Sequence, residues 1–226
     1  MRALAALVLL PAAALVARPA AADEWQTLFD GKSLAAFRCY NKPDIPAGVW
    51  AIENGAIKTI PGVKDGCDLI TRDKYRDFEF ELEWKVPAKG NSGVVYRVTE
   101  VPGKPSWNQG PEMQILDDAG HAAAPGFTMN HAAGALYDLI GPTVKAARPA
   151  GEWNQARIVM KGNHVEHWLN GQKVVEYEWG SPAVQKLIAG SKFKDMPLFM
   201  KASEGYIAIQ HHGEEAWFRN VRVRKL

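Results

Sequence analysis

The chain has 226 residues, a formal net charge of +2 and 23% charged residues. This is ordinary globular composition. So even a charge balance gives no electrostatic case for a nucleic acid or an anionic membrane as partner.

Residues 1–22 read as a secretory leader. Arg2 supplies the positive start, Leu4 to Val16 is an apolar run too short for a membrane span, and Ala20-Ala21-Ala22 fits the small-residue cut. The mature chain is then expected to start at Asp23 and to work in the periplasm or outside the cell. No later segment is long and apolar enough to span a membrane. Cys39 and Cys67 are the only cysteines. In an exported chain they form either one disulfide or two buried thiols.

From Asp23 onward the hydrophobic period is almost everywhere two. Val49 to Glu53 and Ala56 to Ile60 flank Asn54-Gly55, a favoured pair for a tight hairpin turn. Phe78, Phe80, Leu82, Trp84 and Val86 alternate with Glu79, Glu81, Glu83 and Lys85, which predicts a long half-buried strand with a charged outer face. Asn91 to Val98 is the next strand, with Asn91, Gly93, Val95 and Arg97 on one face. Pro102 to Gly110 is a loop carrying Trp107.

Pro111 to Asp117 follows as a strand. Glu112 and Gln114 share one face with Leu116, and Met113 and Ile115 point the other way. A carboxylate and an amide two residues apart in an otherwise apolar strand would offer a ligand an acid/base group and a positioned hydrogen-bonding group. They would equally suit a solvated sheet face. Residues 118–134 read as a long loop with His121 and His131, and Leu136 to Leu139 as a short strand closed by Gly141-Pro142.

Trp153 to Lys161, His164 to Leu169 and Lys173 to Trp179 form a meander turning at Asn170-Gly171. One helix is predicted, Pro182 to Ala189, with Ser181 as its N-cap and Gly190 as its stop. Tyr206 to His211 and Trp217 to Arg224 close the chain. About a dozen strands with frequent turn signals predict an all-β, two-sheet antiparallel sandwich over residues 23–226, in one domain.

Motifs for zincins, α/β-hydrolases and phosphate loops are absent. His164 and His167 are an odd number apart on a strand, as are His211 and His212, so neither pair converges on a metal. Gln210 and His212 share a face, as Glu112 and Gln114 do. Together with Arg97 they suggest a polar cleft on one sheet face. The eight Trp residues suit sugar stacking and a sandwich core equally well.

At these residues the chain resembles the 3-keto-disaccharide hydrolase family. The matching blocks run from Leu28-Phe29-Asp30-Gly31-Lys32-Ser33-Leu34 through Tyr75-x-Asp77-Phe78-Glu79-Phe80 to Asn91-Ser92-Gly93-Val94-x-x-Arg97. They continue with Glu112-x-Gln114-Ile115-Leu116-Asp117, Gly134-Ala135-Leu136-Tyr137, Ile209-Gln210-x-His212-Gly213 and Phe218-Arg219-Asn220-Val221. One departure is Pro111, where many members carry an aromatic residue. The resemblance implies a concanavalin A-like jelly roll with its site on the concave sheet. It implies cleavage of glycosides whose sugar is oxidised to a ketone at carbon 3.

The resemblance points to Glu112, His212 and Arg97 as the catalytic group, with Gln114, Gln210, Tyr137, Asn91 and Asp117 binding substrate. No bound nicotinamide is needed, because the substrate arrives oxidised. A divalent cation could stabilise an enediolate, with Glu112, Asp117 and His212 as ligands. Two other readings share the fold: a conventional glucanase with two carboxylates about 5–5.5 Å apart, and a carbohydrate-binding module without turnover. Gln114 stands where laminarinase-like enzymes carry a second acid, which disfavours the glucanase.

Overall fold

The computed structural model describes residues 24–64 and 66–226. The leader expected over residues 1–22 and its cut lie outside the described residues. Two antiparallel sheets pack face to face. The larger has eight strands: β1 (Gln26–Phe29), β3 (Trp50–Glu53), β4 (Ala56–Thr59), β6 (Phe78–Lys85), β9 (Asn154–Lys161), β10 (His164–Leu169), β11 (Gln172–Glu178) and β13 (Trp217–Lys225). The smaller runs in the order β2 (Phe37–Cys39), β5 (Leu69–Thr71), β12 (Tyr206–Ile209), β7 (Asn91–Val98) and β8 (Glu112–Leu116). The expected sandwich is therefore present.

The core lies between the sheets because alternation sends one set of side chains inward from each. Phe78, Phe80, Leu82 and Trp84 of β6 and Ile158 and Met160 of β9 meet Val94 and Tyr96 of β7 and Met113 and Ile115 of β8, all essentially without solvent contact. Removing one of the large aromatics costs about 3–5 kcal/mol in such a core. Asn54-Gly55 and Asn170-Gly171 turn their hairpins with positive φ at both residues, as the sequence leads one to expect.

One polar chain crosses this core. His167 of β10 is fully buried, its Nδ1 3.0 Å from the Gly134 carbonyl and its Nε2 2.8 Å from the Tyr96 hydroxyl, which meets the Tyr177 hydroxyl at 2.7 Å. Burial pushes this imidazole down to about 4. It therefore stays neutral and structural at physiological pH.

Three local expectations need correction. The charged face of β6 is not open throughout: Glu79 and Glu81 are buried under arginines of the neighbouring strands, and Glu83 is partly exposed. Glu79 accepts from Arg157 at 2.9 Å and Arg224 at 2.7 Å, Glu81 from Arg222 at 2.6 Å, and Glu83 from Arg219 at 2.7 Å. The period-2 pattern cannot distinguish a wet face from one roofed by guanidinium groups.

Residues 136–139 form no strand. Leu136 makes isolated bridges to Met113 and Ile140, and the chain reverses at Asp138, which has φ +61°. This segment still covers the outer edge of β8, through Gln114 N to Ala135 O and Tyr137 N to Glu112 O. The loop at 118–134 contains a helical turn, α1 (Asp118–His121), and a 3-10 turn at Met129–His131. The helix α2 (Pro182–Ala189) forms with Ser181 as its cap, the hydroxyl accepting from Val184 N.

Candidate active site

The site is built on the outer face of the five-stranded sheet, away from the core. There β7, β8 and the end of β12 lie side by side, with Gly93 opposite Gln114 and Val95 opposite both Glu112 and Ala208. This register brings the two sequence-read pairs, Glu112 with Gln114 and Gln210 with His212, around one cleft of about 180 Å³. Asn91, Tyr137, Trp107 and Lys192 complete its lining.

Glu112 occupies the floor. It is 7% exposed, and its carboxyl has no hydrogen-bond partner among the described residues. Desolvation, helped by the nearby charge of Asp68 and opposed by Lys192, pushes it up to about 8. At neutral pH it is therefore a protonated acid, ready to donate. Space for it comes from Gly93: a Cβ at that position would overlap Oε1 of Glu112. The Asn-Ser-Gly run is explained residue by residue. Asn91 lines the cleft, the Ser92 hydroxyl donates to Gln210 O at 2.8 Å, and Gly93 makes room for the acid.

A hydrogen-bonded chain runs along one wall. Gln114 Nε2 donates to Asn91 Oδ1 at 3.1 Å, Asn91 Nδ2 lies 3.1 Å from His212 Nε2, and His212 Nδ1 lies 2.7 Å from Glu214. The Glu214 carboxylate can only accept, so Nδ1 carries the proton. Nε2 is then the basic nitrogen, receiving the Asn91 amide. A base and a separate protonated acid thus stand in one cleft, and the carboxylate that orients the base lies outside its lining.

Lys192 has no sequence signature of function. It is the first residue of a 3-10 turn, Lys192–Asp195, and its ammonium lies 4.3 Å from the Tyr137 ring centre and 5.1 Å from that of Trp107. Burial lowers its pKa, with Asp138 and Glu112 acting against the shift. It is the one cationic side chain lining this cleft among the described residues. Tyr137 is held by His131, whose ring lies 5.2 Å away and whose Nε2 is 3.1 Å from Asp138.

Two expected site residues are elsewhere. Arg97 has φ +50° in a β-bulge, where the three steps from Val95 to Val98 match the two from Ala208 to Tyr206. The bulge breaks the alternation. It sends the guanidinium to the carbonyls of Arg76 and Gly162, at 3.0 and 3.3 Å, and over the Trp179 ring. Asp117 lies past the end of β8 and accepts from Lys89 N at 2.8 Å, fixing the turn between β6 and β7.

Glu112, Asp117 and His212 accordingly form no ligand set. Among the described residues one group of three metal-type donors converges: His164, Glu166 and Glu176, at the sheet edge formed by β10 and β11. The ammonium of Lys173 lies 3.1 Å from Glu166 and 2.6 Å from Glu176, so a cation is already supplied there.

Comparisons with known proteins bear on the family and the fold. A curated 3-keto-disaccharide hydrolase of Bacteroides thetaiotaomicron is 37% identical, over 92% of this chain and 80% of its own length. A crystal structure of a protein of Parabacteroides distasonis, provisionally assigned as a glycosyl hydrolase, superposes with a TM-score of 0.80 at 30% identity, covering 89% of this chain and 94% of that one. A Bacillus subtilis protein of galectin-like fold shares the architecture at a TM-score of 0.51 and 9% identity, over 89% of each chain. The family model for the 3-keto-alpha-glucoside-1,2-lyase-like domain matches residues 24–224, and the chain belongs to that family.

Proposed function

We propose that this protein is an exported enzyme that cleaves 3-keto-glycosides, 3-keto-disaccharides among them, by proton abstraction at C2, elimination at C1 and hydration. The observation that carries the proposal is the pairing, in one cleft, of a buried acid that stays protonated at neutral pH with an imidazole nitrogen held as a base. The relative's name supplies the substrate class.

A ketone at C3 acidifies the proton on C2. Nε2 of His212 takes that proton, with Glu214 stabilising the imidazolium that forms. The enediolate oxygen at C3 develops negative charge, and Lys192 is the cation available to it. The C1–O bond then breaks, and the Glu112 carboxyl gives its proton to the departing oxygen.

Glu112 is now a carboxylate and His212 an imidazolium. In the hydration step Glu112 takes a proton from the water that adds to C1, and His212, whose exposed imidazolium has exchanged its proton with solvent, protonates C2. Both groups end as they began, and the net change is hydrolysis. Release after elimination would make the enzyme a lyase with the same residues. A two-carboxylate displacement finds less support, because Glu112 is the sole carboxylate lining this cleft among the described residues.

The test is cleavage in deuterium oxide with a rapid quench. Elimination and hydration are expected to leave deuterium at C2 of the released sugar beyond a control of the free keto-sugar. Direct displacement would leave hydrogen there. Sugar binding without turnover would reduce the protein to a binding module.

A further inference from the structure

The cleft does not end at Trp107. A second lobe of about 370 Å³ opens beside it, and Trp107, Gln210 and His212 line both compartments. Three segments distant in sequence form its walls, around residues 39–42, 66–68 and 101–107. They are fastened to one another.

Cys39 and Cys67 are joined in a disulfide. The Tyr40 hydroxyl donates to Thr99 O at 3.2 Å and accepts from Val101 N at 3.1 Å. Asp68 accepts from the Ser106 hydroxyl at 2.5 Å through one oxygen and from His211 N at 2.9 Å through the other. Loops tied this way form a compartment before any ligand arrives, which lowers the ordering cost of binding.

At the seam of the two lobes stands Gln210. It is 8% exposed, and its Oε1 is buried with no hydrogen-bond partner among the described residues. Buried side-chain oxygens are rarely left so. An acceptor waiting between two compartments suits a hydroxyl donor on a ligand that spans them. The second lobe itself offers Lys42, Lys104, Asp68 and Trp107. Charged groups that make hydrogen bonds beside an aromatic ring suit a hydroxyl-rich ring better than an alkyl chain.

We propose that this second lobe is the leaving-group subsite and that it takes a sugar ring. The oxidised ring sits over Glu112 with C2 toward His212, the departing ring lies between Lys42 and Trp107 with a hydroxyl toward Gln210 Oε1, and the scissile oxygen stays within reach of the Glu112 carboxyl. This rests on the function proposed above, and it adds which part of the substrate goes where and which leaving groups are favoured.

The experiment compares three 3-keto-glucosides of one anomer, with methyl, hexyl and glucosyl leaving groups, on the wild type and on a Lys42→Ala/Lys104→Ala double variant. Wild-type kcat/KM is expected to be highest for the glucosyl substrate. The double variant removes two donors, so the ratio of glucosyl to methyl kcat/KM should fall about tenfold. An unchanged ratio, or a hexyl substrate equal to the glucosyl one, overturns the sugar subsite while the activity stands. Absence of turnover on all three by the wild type overturns the proposed function and the subsite together.

Discussion

Glu112 has two measurable properties that separate chemistry from packing. Its folded-state pKa of about 8 lies above the ordinary 4.5. Between those values the folded protein holds a proton that the unfolded chain has released. The stability this confers is complete below about pH 4.5 and drains as pH rises toward 8, by about 1.4 kcal/mol per pH unit. Glu112→Gln removes that dependence. Denaturant unfolding from pH 5 to 8 should show the variant gaining steadily on the wild type, while turnover falls by about 10²–10⁴. Wild-type turnover in the variant would refute the acid role.

Elimination needs the protonated form, so wild-type kcat/KM should also decline as pH rises through about 8. Gly93 gives a second residue-scale test. A methyl group there displaces the carboxyl without burdening the strand, since alanine suits a strand no worse than glycine. Gly93→Ala should cost about 10² in turnover at near-normal melting temperature. A variant as active as the wild type would mean the acid's position is not critical.

Among the elements, β7 shows how far a periodic reading carries. Alternation put Asn91 and Gly93 on the site face, and they are there. Two residues later the bulge adds a step, and Arg97 leaves that face. A bulge is a matter of how two strands meet, and the local pattern does not record it. Arg97→Met should therefore act on stability. Two carbonyls lose their donor and Trp179 its stacked cation, for about 3 kcal/mol or a melting temperature lower by roughly 6–12 °C. The folded variant should keep its turnover per molecule, and a large kcat loss at unchanged stability would return Arg97 to the chemistry.

The longer strands, the Asn-Gly turns and the helix at 182–189 are legible because each rests on local spacing or capping, whereas β1, β2 and β5 are only three or four residues long, too short to show a period. Parity also gave the pairs Glu112 with Gln114 and Gln210 with His212. That the pairs converge depends on strand order in the smaller sheet, and the resemblance supplied that. Lys192 had no signal at all. It reaches the cleft from a short 3-10 turn 80 residues beyond Glu112 in the chain, through packing on Trp107 and Tyr137.

At the scale of the whole molecule, the eight-stranded sheet serves as the platform and the five-stranded sheet bears the site. The disulfide fastens the site side alone, joining the end of β2 to the segment leading into β5. Disulfides persist in oxidising compartments, which supports the proposed export. Cys39→Ala/Cys67→Ala should destabilise the fold by about 2–4 kcal/mol, read by denaturant unfolding. An unchanged unfolding midpoint would show that the link is dispensable.

The central claim is that the cleft around Glu112 acts on sugars only when C3 is a ketone. The most direct test is one assay, in which the purified protein is given a 3-keto-glucoside and its unoxidised parent side by side. Cleavage of the ketone substrate alone, lost in Glu112→Gln, is the expected result. Cleavage of the unoxidised parent at a comparable rate would contradict it, because no acidified C2 proton would then be involved.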